Sequence, residues 1–412
     1  MSVGIVWGGA AGMMAAAALS ESGYTDDIFL FDKNPHLGAK VIISGGGRCN
    51  VTTSFYKKEV LKTKYPRGRD LIEYAIGQFG PKKMYQWFEQ HGVPLKIEKD
   101  GRVFPVSNNG KNVVAVFERL FESSPNVHLK LGEKISWISK WDRFVLTGTT
   151  QTYVVDKLIL ATGGNAYRHT GSEGDGYAFA QSLGHTVTAL GPSLNSFQTS
   201  HERMHALSGI SFPQSALIAK DGKSFVGPLL LTHFGITGPV VFAFSAYTSF
   251  ESMETNHPLL VKRKPDHEQS YDYRLRILQE AKSTQAKKQL GSILKTHFPD
   301  RFVQWLCAHY GFGYDMPMAS LHQESMKATA HILGNGLELQ LIARRAGDEF
   351  VTAGGVPAHE IDHRTMQSLI CPDLYIVGEL LDVDGVTWGY NLTSSWASGR
   401  LAWSHIAQSI LQ

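Results

Sequence analysis

The feature that most constrains the fold lies at the start of the chain. Val3–Trp7 is a short apolar run that reads as a buried strand. Gly8-Gly9-Ala10-Ala11-Gly12 follows as a turn, and Met13 to about Ser22 reads as a helix with Gly23 as its stop. Ile28–Phe31 is a second apolar run, and it ends in Asp32. Strand, glycine turn, helix, strand and acid make one βαβ unit, whose parallel strands are buried on both faces and therefore read as unbroken apolar runs. A dinucleotide turn needs one glycine for the tight turn, a second for close approach of a pyrophosphate and a third for helix–strand packing. Free N–H groups at the helix N-terminus then face the phosphates. In the window Trp7-Gly8-Gly9-Ala10-Ala11-Gly12 the second and third glycines are Gly9 and Gly12, while Trp7 holds the first position. A tryptophan resists positive φ, and its bulk would crowd a phosphate; Gly8 compensates in part. Asp32 is placed to accept hydrogen bonds from a ribose diol. The competing reading is a glycine-rich βα turn beside a surface aspartate.

The 412 residues exceed what one simple core holds, so two or three domains are expected. A net charge of +3 does not demand nucleic acid, although Lys57, Lys58, Lys62, Lys64, Arg67 and Arg69 form a local basic stretch. That stretch reads either as a solvated face or as an RNA contact. Cys49, Cys307 and Cys371 are too scattered for a disulfide framework or a zinc site, and His201 and His205 show no metal-ligand spacing. No metal is expected. Met13–Leu19 is apolar like a signal segment, but no Lys or Arg precedes it. The expectation is a soluble, cytoplasmic protein with no membrane partner.

Further along, residues 33–56 are rich in Gly, Asn, Ser and Thr and read as a ligand-binding loop. Residues 70–92 read as helical, Val127–Leu131 and Phe144–Leu146 as strands of a small sheet, and Tyr153–Leu160 as one strand. The segment from Pro192 to about Ser252 alternates like antiparallel strands. Residues 271–332 read as helical, Leu374–Val377 as a last strand, and Ser394–Leu411 as a closing helix. Within the loop, Gly45-Gly46-Gly47 let backbone N–H groups converge on an anion or lie flat against a ring. Arg48 is suited to a phosphate or to a reduced flavin, Cys49 is either a redox or acid group or a small buried thiol, and Asn50 closes the motif. Ala161-Thr162-Gly163 after an apolar strand permits a second backbone approach. Gly378-Glu379 after the last strand suits a ribityl chain, and Asn391-Leu392 at the opening of the last helix offers N–H groups to flavin carbonyls.

The chain resembles the BaiN/RdsA family of NAD(P)/FAD-dependent oxidoreductases. The resemblance rests on Ile43–Thr52 (ISGGGRCNVT), Gly101–Pro105, Ala161–Gly164, Leu231–Pro239, Thr352–Val356, and Gly378-Glu379 through Asn391-Leu392. It implies an α/β fold: a Rossmann-like FAD-binding domain of the two-dinucleotide-binding-domain flavoprotein type, with an inserted β-rich domain and a helical subdomain. The expected boundaries are 1–190 and 345–412 for the FAD domain, 191–270 and 333–344 for the β-rich insert, and 271–332 for the helical subdomain. FAD is the implied cofactor and NAD(P)H the expected transient donor, although no second complete dinucleotide turn appears. Gly8, Gly9, Ala10, Ala11, Gly12, Asp32, Lys33, Lys40, Gly45, Gly46, Gly47, Arg48, Cys49, Asn50, Ala161, Thr162, Gly163, Gly378, Glu379, Asn391 and Leu392 are the expected cofactor-binding residues. Trp7 and Trp388 stand where the family has glycine, and His169 is a third departure.

Flavin would supply the hydride step and the protein a proton donor, for which Cys49, His233 and Tyr390 are the candidates. Three readings of function stay open. The first is reduction of an unsaturated carbon–carbon bond in a small-molecule substrate. The second is the same chemistry on a uridine of ribosomal RNA. The third is a flavin- or nucleotide-binding protein without turnover.

Overall fold

The computed structural model describes residues 1–200, 206–254, 259–266 and 268–408, without the side chains of residues 58, 62, 261 and 408. His201, His205, the Lys62 side chain and the expected helix end at Leu411 lie outside the described residues. The chain divides into two compact units, Met1–Ser193 with Glu349–Gln412, and Leu194–Asp348.

The first unit is built on a five-stranded parallel sheet. Its order is Leu374–Ile376, Lys157–Leu160, β1 (Val3–Val6), β2 (Ile28–Asp32) and Val127–Leu131. Ile5 lies opposite Ile159 on one side and Leu30 on the other. The first four strands are buried as their apolar runs require, with Val3, Ile5, Leu30, Leu158 and Ile159 fully enclosed, while the edge strand Val127–Leu131 is half-exposed. Helix α1 (Ala10–Glu21) is alanine-rich, the best helix composition, and Ala11–Leu19 are all buried. A helix apolar on every side belongs inside a core. It stops as expected: the Ser22 N–H donates to the Ala18 carbonyl and Gly23 takes φ +77°. The closing helix, Tyr390–Gln408, packs against α1 at Gly399, where a Cβ would stand 2.2 Å from the Ala11 carbonyl oxygen. Trp396, fully buried on that helix, stacks on Phe117 at 5.6 Å.

Three local expectations are corrected. Val127–Leu131 does not join a small sheet; it pairs in parallel with β2, Leu129 against Leu30. The small antiparallel sheet is Trp137–Lys140, Phe144–Thr147 and Thr152–Val155. The run Tyr153–Leu160 is two strands, broken at Asp156, where the N–H groups of Asp156 and Lys157 both donate to the Ser2 carbonyl. Its first half pairs antiparallel in the small sheet and its second half parallel in the five-stranded sheet, so the two halves belong to different sheets. Residues 70–92 form two helices, Arg69–Gln78 and Pro81–Gln90, separated at Gly80 with proline in the first turn of the second.

The second unit is a closed antiparallel barrel in the order Phe197–Thr199, Gly235–Thr237, Ser224–Leu231, Ser211–Ile218, Leu259–Lys264, Leu337–Arg344. Along Ser224–Leu231 exposed and buried residues alternate strictly, the period of a strand with one face inward. Between the last two barrel strands the chain forms the helices Tyr271–Thr284, Leu290–Leu294, Asp300–Tyr310 and Gln323–Asn335. Among the described residues no helix is long and apolar enough to cross a membrane.

Candidate functional site

The turn after β1 carries the first half of the site. Trp7 takes φ +87°, the conformation its side chain was expected to resist, so the backbone of the first glycine position is kept without the glycine. Its N–H donates to the Phe31 carbonyl at 2.8 Å. A Cβ at Gly12 would stand 1.9 Å from the Trp7 carbonyl oxygen, so the third glycine serves close packing as expected. A Cβ at Gly9 would meet nothing within 4 Å, which leaves clear space at the second. Gly9 is also the N-cap of α1; it offers no side-chain cap and no acidic residue follows in the first turn. The N–H groups of Ala10, Ala11 and Gly12 thus begin the helix with no side-chain acceptor. Gly8 does more than compensate for Trp7: a Cβ there would stand 2.2 Å from Leu37, and its N–H donates to Asp32 Oδ2 at 3.0 Å. Asp32 Oδ1 accepts from the Asn34 N–H at 2.8 Å. The carboxylate is 3% exposed, so the surface-aspartate reading fails. Burial raises its pKa, against the hydrogen bonds from Asn34 and Gly8. Lys33 lies beside it, paired with Glu173 at 2.6 Å and Asp175 at 3.1 Å.

The glycine loop takes three successive left-handed residues, Gly45, Gly46 and Gly47 at φ +58°, +72° and +84°. Only glycine adopts such a run without strain. A Cβ at Gly45 would press on Phe104, whereas Gly46 and Gly47 are open. Arg48 is held by Glu98 at 2.6 Å, with its guanidinium 3.9 Å from the Phe104 ring centroid. Cys49 is fully buried, and burial pushes its thiol up to about 12 against a hydrogen bond with Ser44. The Asn50 side chain accepts from the Val103 N–H at 3.3 Å.

Strand ends in the same sheet carry the remaining motifs. The Ala161 N–H donates to the Val6 carbonyl, Gly163 is left-handed, and Thr162 Oγ1 is buried without a hydrogen-bond partner among the described residues. Gly378, at φ +72°, donates its N–H to Ser398 Oγ at 3.0 Å. Glu379 receives the Thr352 N–H at 2.9 Å and pairs with Lys40 at 2.7 Å, which ties the glycine loop's helix to the last strand. Asn391, in the first turn of the closing helix, brackets Gly385 with two hydrogen bonds of 2.8 Å, and Leu392 follows half-buried. Tyr390 is 1% exposed; its hydroxyl meets no hydrogen-bond criterion among the described residues, and burial pushes it up to about 12 against a weak interaction with Thr53. Trp388 takes φ +67°, so both tryptophans at family glycine positions hold glycine-like backbone. His233 belongs to the second unit, exposed in the turn before Gly235–Thr237 with its ring edge-on to Phe234 at 5.1 Å.

The pairing of Arg67 and the buried hydroxyl of Tyr177 carried no signal in the sequence. Arg67, counted in the basic stretch, pairs with Asp384, which is fully buried and also accepts from Ser193 Oγ at 2.7 Å. Among the described residues the Tyr177 hydroxyl and Asp382 Oδ1 are buried without a hydrogen-bond partner. A partner as distant along the chain as Asp384 is from Arg67 leaves no spacing signal.

These residues fit a dinucleotide flavin. The turn is open at Gly9, Gly46 and Gly47, the half-exposed N-terminus of α1 carries no side-chain cap, and among the described residues Thr162, Asp382 and Tyr390 hold buried polar atoms without hydrogen-bond partners.

The 3-dehydro-bile acid delta(4,6)-reductase of Clostridium scindens is 27% identical to this chain, covering 97% of each. The ribosomal RNA dihydrouridine synthase of Escherichia coli K12 is 28% identical, covering 97% of this chain and 96% of its own. Among solved structures, a 3-ketosteroid delta1-dehydrogenase from Sterolibacterium denitrificans shares the fold at TM-score 0.50 and 12% identity, covering 99% of both chains. A flavocytochrome c3 fumarate reductase does so at TM-score 0.50 and 17% identity, covering all of this chain and 78% of its own. The family model of the HI0933-like protein Rossmann domain matches residues 1–405, and the chain belongs to that family.

Proposed function

We propose that the chain is an FAD-dependent oxidoreductase that reduces an unsaturated carbon–carbon bond in a small-molecule substrate. One observation carries the reading: the glycine turn after β1, Asp32 at the end of β2, Ala161–Gly163 after the neighbouring strand and Gly378-Glu379 after the next all lie at the carboxyl ends of adjacent parallel strands. That edge is where open α/β sheets bind nucleotides. The relatives named as a reductase of a bile acid and a synthase of dihydrouridine both fit reduction of a carbon–carbon double bond.

A bound flavin would supply the hydride. The chain's own work is binding, orientation and proton delivery. Backbone N–H groups of Ala10–Gly12 and of Gly45-Gly46 are the phosphate and ring contacts, the Gly47 N–H being given to the Ile43 carbonyl. Glu379 is the acidic partner at one strand end, while Asp32 orders the turn through the Gly8 and Asn34 N–H groups. Lys40 fixes Glu379, and the Asn391–Gly385 bracket fixes the first turn of the closing helix. Cys49 and Tyr390 are buried with raised pKa values, which disfavours the ionised forms that proton donation would create. Drawing Arg67 into the pair with Asp384 removes a cation from the basic stretch, which favours the small molecule over RNA.

The test is anaerobic. FAD-loaded protein is reduced with NADH, NADPH or dithionite, then mixed with a conjugated steroid enone or with unmodified ribosomal RNA. Bleaching by a nicotinamide and reoxidation by the enone are expected. Reoxidation by the RNA alone would transfer the reading to uridine. Failure of both acceptors after chemical reduction would favour a binding protein without turnover.

A further inference from the structure

In a βαβ nucleotide fold the acid closing the second strand takes the ribose hydroxyls, so the adenosine half lies over the carboxyl ends of the first two strands. In this chain that place is crowded. Asp32 is 3% exposed, with one oxygen engaged by the Gly8 N–H and the other by the Asn34 N–H. Beside it the Lys33 ammonium sits 4.4 Å from the centroid of the Trp7 ring. Glu173 and Asp175 pair with the same ammonium at 2.6 and 3.1 Å. The Trp7 ring reaches Gly171, where a Cβ would stand 3.0 Å from the indole Cζ3, from Lys33 Cε and from Asn34 Nδ2 alike. Asn34 Nδ2 donates to the Thr170 carbonyl at 3.0 Å. The segment from Thr170 to Asp175 is therefore strapped onto Trp7 and Lys33. The phosphate turn and the glycine loop, by contrast, are open at Gly9, Gly46 and Gly47.

We infer that Trp7, with Lys33 seated on its ring, occupies the adenosine end of the cofactor site, so that the cofactor is held by its flavin and phosphate with little contribution from adenosine. The inference rests on the flavin reading above and deepens it. A tryptophan at φ +87° is a strained residue, and strain of this kind persists where surrounding contacts over-determine it. Here those contacts are the cation–π seat, the two ion pairs and the Gly171 backbone. A left-handed position suits glycine, so Trp7→Gly keeps the turn while removing the ring.

The experiment titrates flavin-free protein with FMN and with FAD, following flavin fluorescence and visible absorbance, with far-ultraviolet circular dichroism as the folding control. In the wild type the two dissociation constants are expected to agree within about threefold, since adenosine adds little contact. Trp7→Gly is expected to tighten FAD by about tenfold or more while FMN moves by less than about threefold. Lys33→Met, which removes the ammonium and leaves the backbone alone, should move FAD in the same direction. Wild-type protein binding FAD about a hundredfold more tightly than FMN would overturn the inference. So would a weakening of FAD by Trp7→Gly, which would make the indole an adenine platform. A gain with Trp7→Gly alone and none with Lys33→Met would assign the effect to backbone strain and equally overturn it. Failure of every protein to bind either flavin would sink the flavin reading itself.

Discussion

At the scale of single residues, burial decides which side chains are free to react. Cys49, Cys307 and Cys371 are all buried, and burial pushes the thiols of Cys49 and Cys307 up to about 12 and about 11. Native protein should therefore resist iodoacetamide at neutral pH, and mass spectrometry should find all three labelled only after denaturation; rapid native labelling of Cys49 would contradict this. The Arg67–Asp384 pair makes a second test. Arg67→Ala leaves a fully buried carboxylate without its cation, at a cost of about 3–5 kcal/mol in unfolding free energy. Urea denaturation should read the loss, and a change below about 1 kcal/mol would contradict the pair's role. Asp32 was legible in the sequence because a local pattern sets its place. Arg67 looked like one more surface cation because its partner lies 317 residues away.

At the scale of elements, the turn and α1 separate packing from binding. Gly12→Ala drives a methyl group against the Trp7 carbonyl oxygen, whereas Gly9→Ala meets nothing at a φ of −78° that any residue accepts. Gly9→Ala should keep the melting temperature within about 2 °C, since replacing an N-cap glycine costs less than about 1 kcal/mol. It should still weaken flavin binding about tenfold or more, because the second glycine admits the pyrophosphate. Gly12→Ala should lower both. Calorimetry and flavin titration check the pair, and equal flavin affinity for Gly9→Ala and wild type would refute the assignment. The βαβ unit was legible because continuous apolar strands, an alanine-rich helix and a glycine turn agree with one another. Val127–Leu131 was misplaced because nothing in a five-residue strand of alternating apolar and polar residues names its neighbour. The run Tyr153–Leu160 was read as one strand because its break depends on the distant Ser2 carbonyl.

At the scale of the molecule, the first unit carries a buried lock that makes its stability depend on acid. His185 hydrogen-bonds Glu360 at 2.7 Å and Ser368 Oγ at 2.8 Å, and Thr186 also donates to Glu360. Burial alone would raise the Glu360 pKa; hydrogen bonds from Thr186 and His185 outweigh it and hold the carboxyl below its ordinary value. A depressed folded pKa contributes stability that is present above the unfolded value and lost as pH falls through the folded one. Glu360→Gln should therefore be less stable than wild type at pH 7, and the gap should narrow as pH falls below about 4. Denaturant melts across pH 3–7 check this, and a gap that stays constant would contradict it. The architecture itself, a Rossmann-like unit interrupted by a barrel with helices, was legible from the order of motifs along the whole chain. The closure of the barrel was not, because its strands return from Phe197–Thr199 to Leu337–Arg344 across the full insert. The most direct test of the central claim is to titrate purified protein with FAD and record its visible spectrum. Saturation at one flavin per chain, with a resolved and shifted flavin band, is the expected result. A chain that takes up no FAD, and none after Trp7→Gly, would contradict the account.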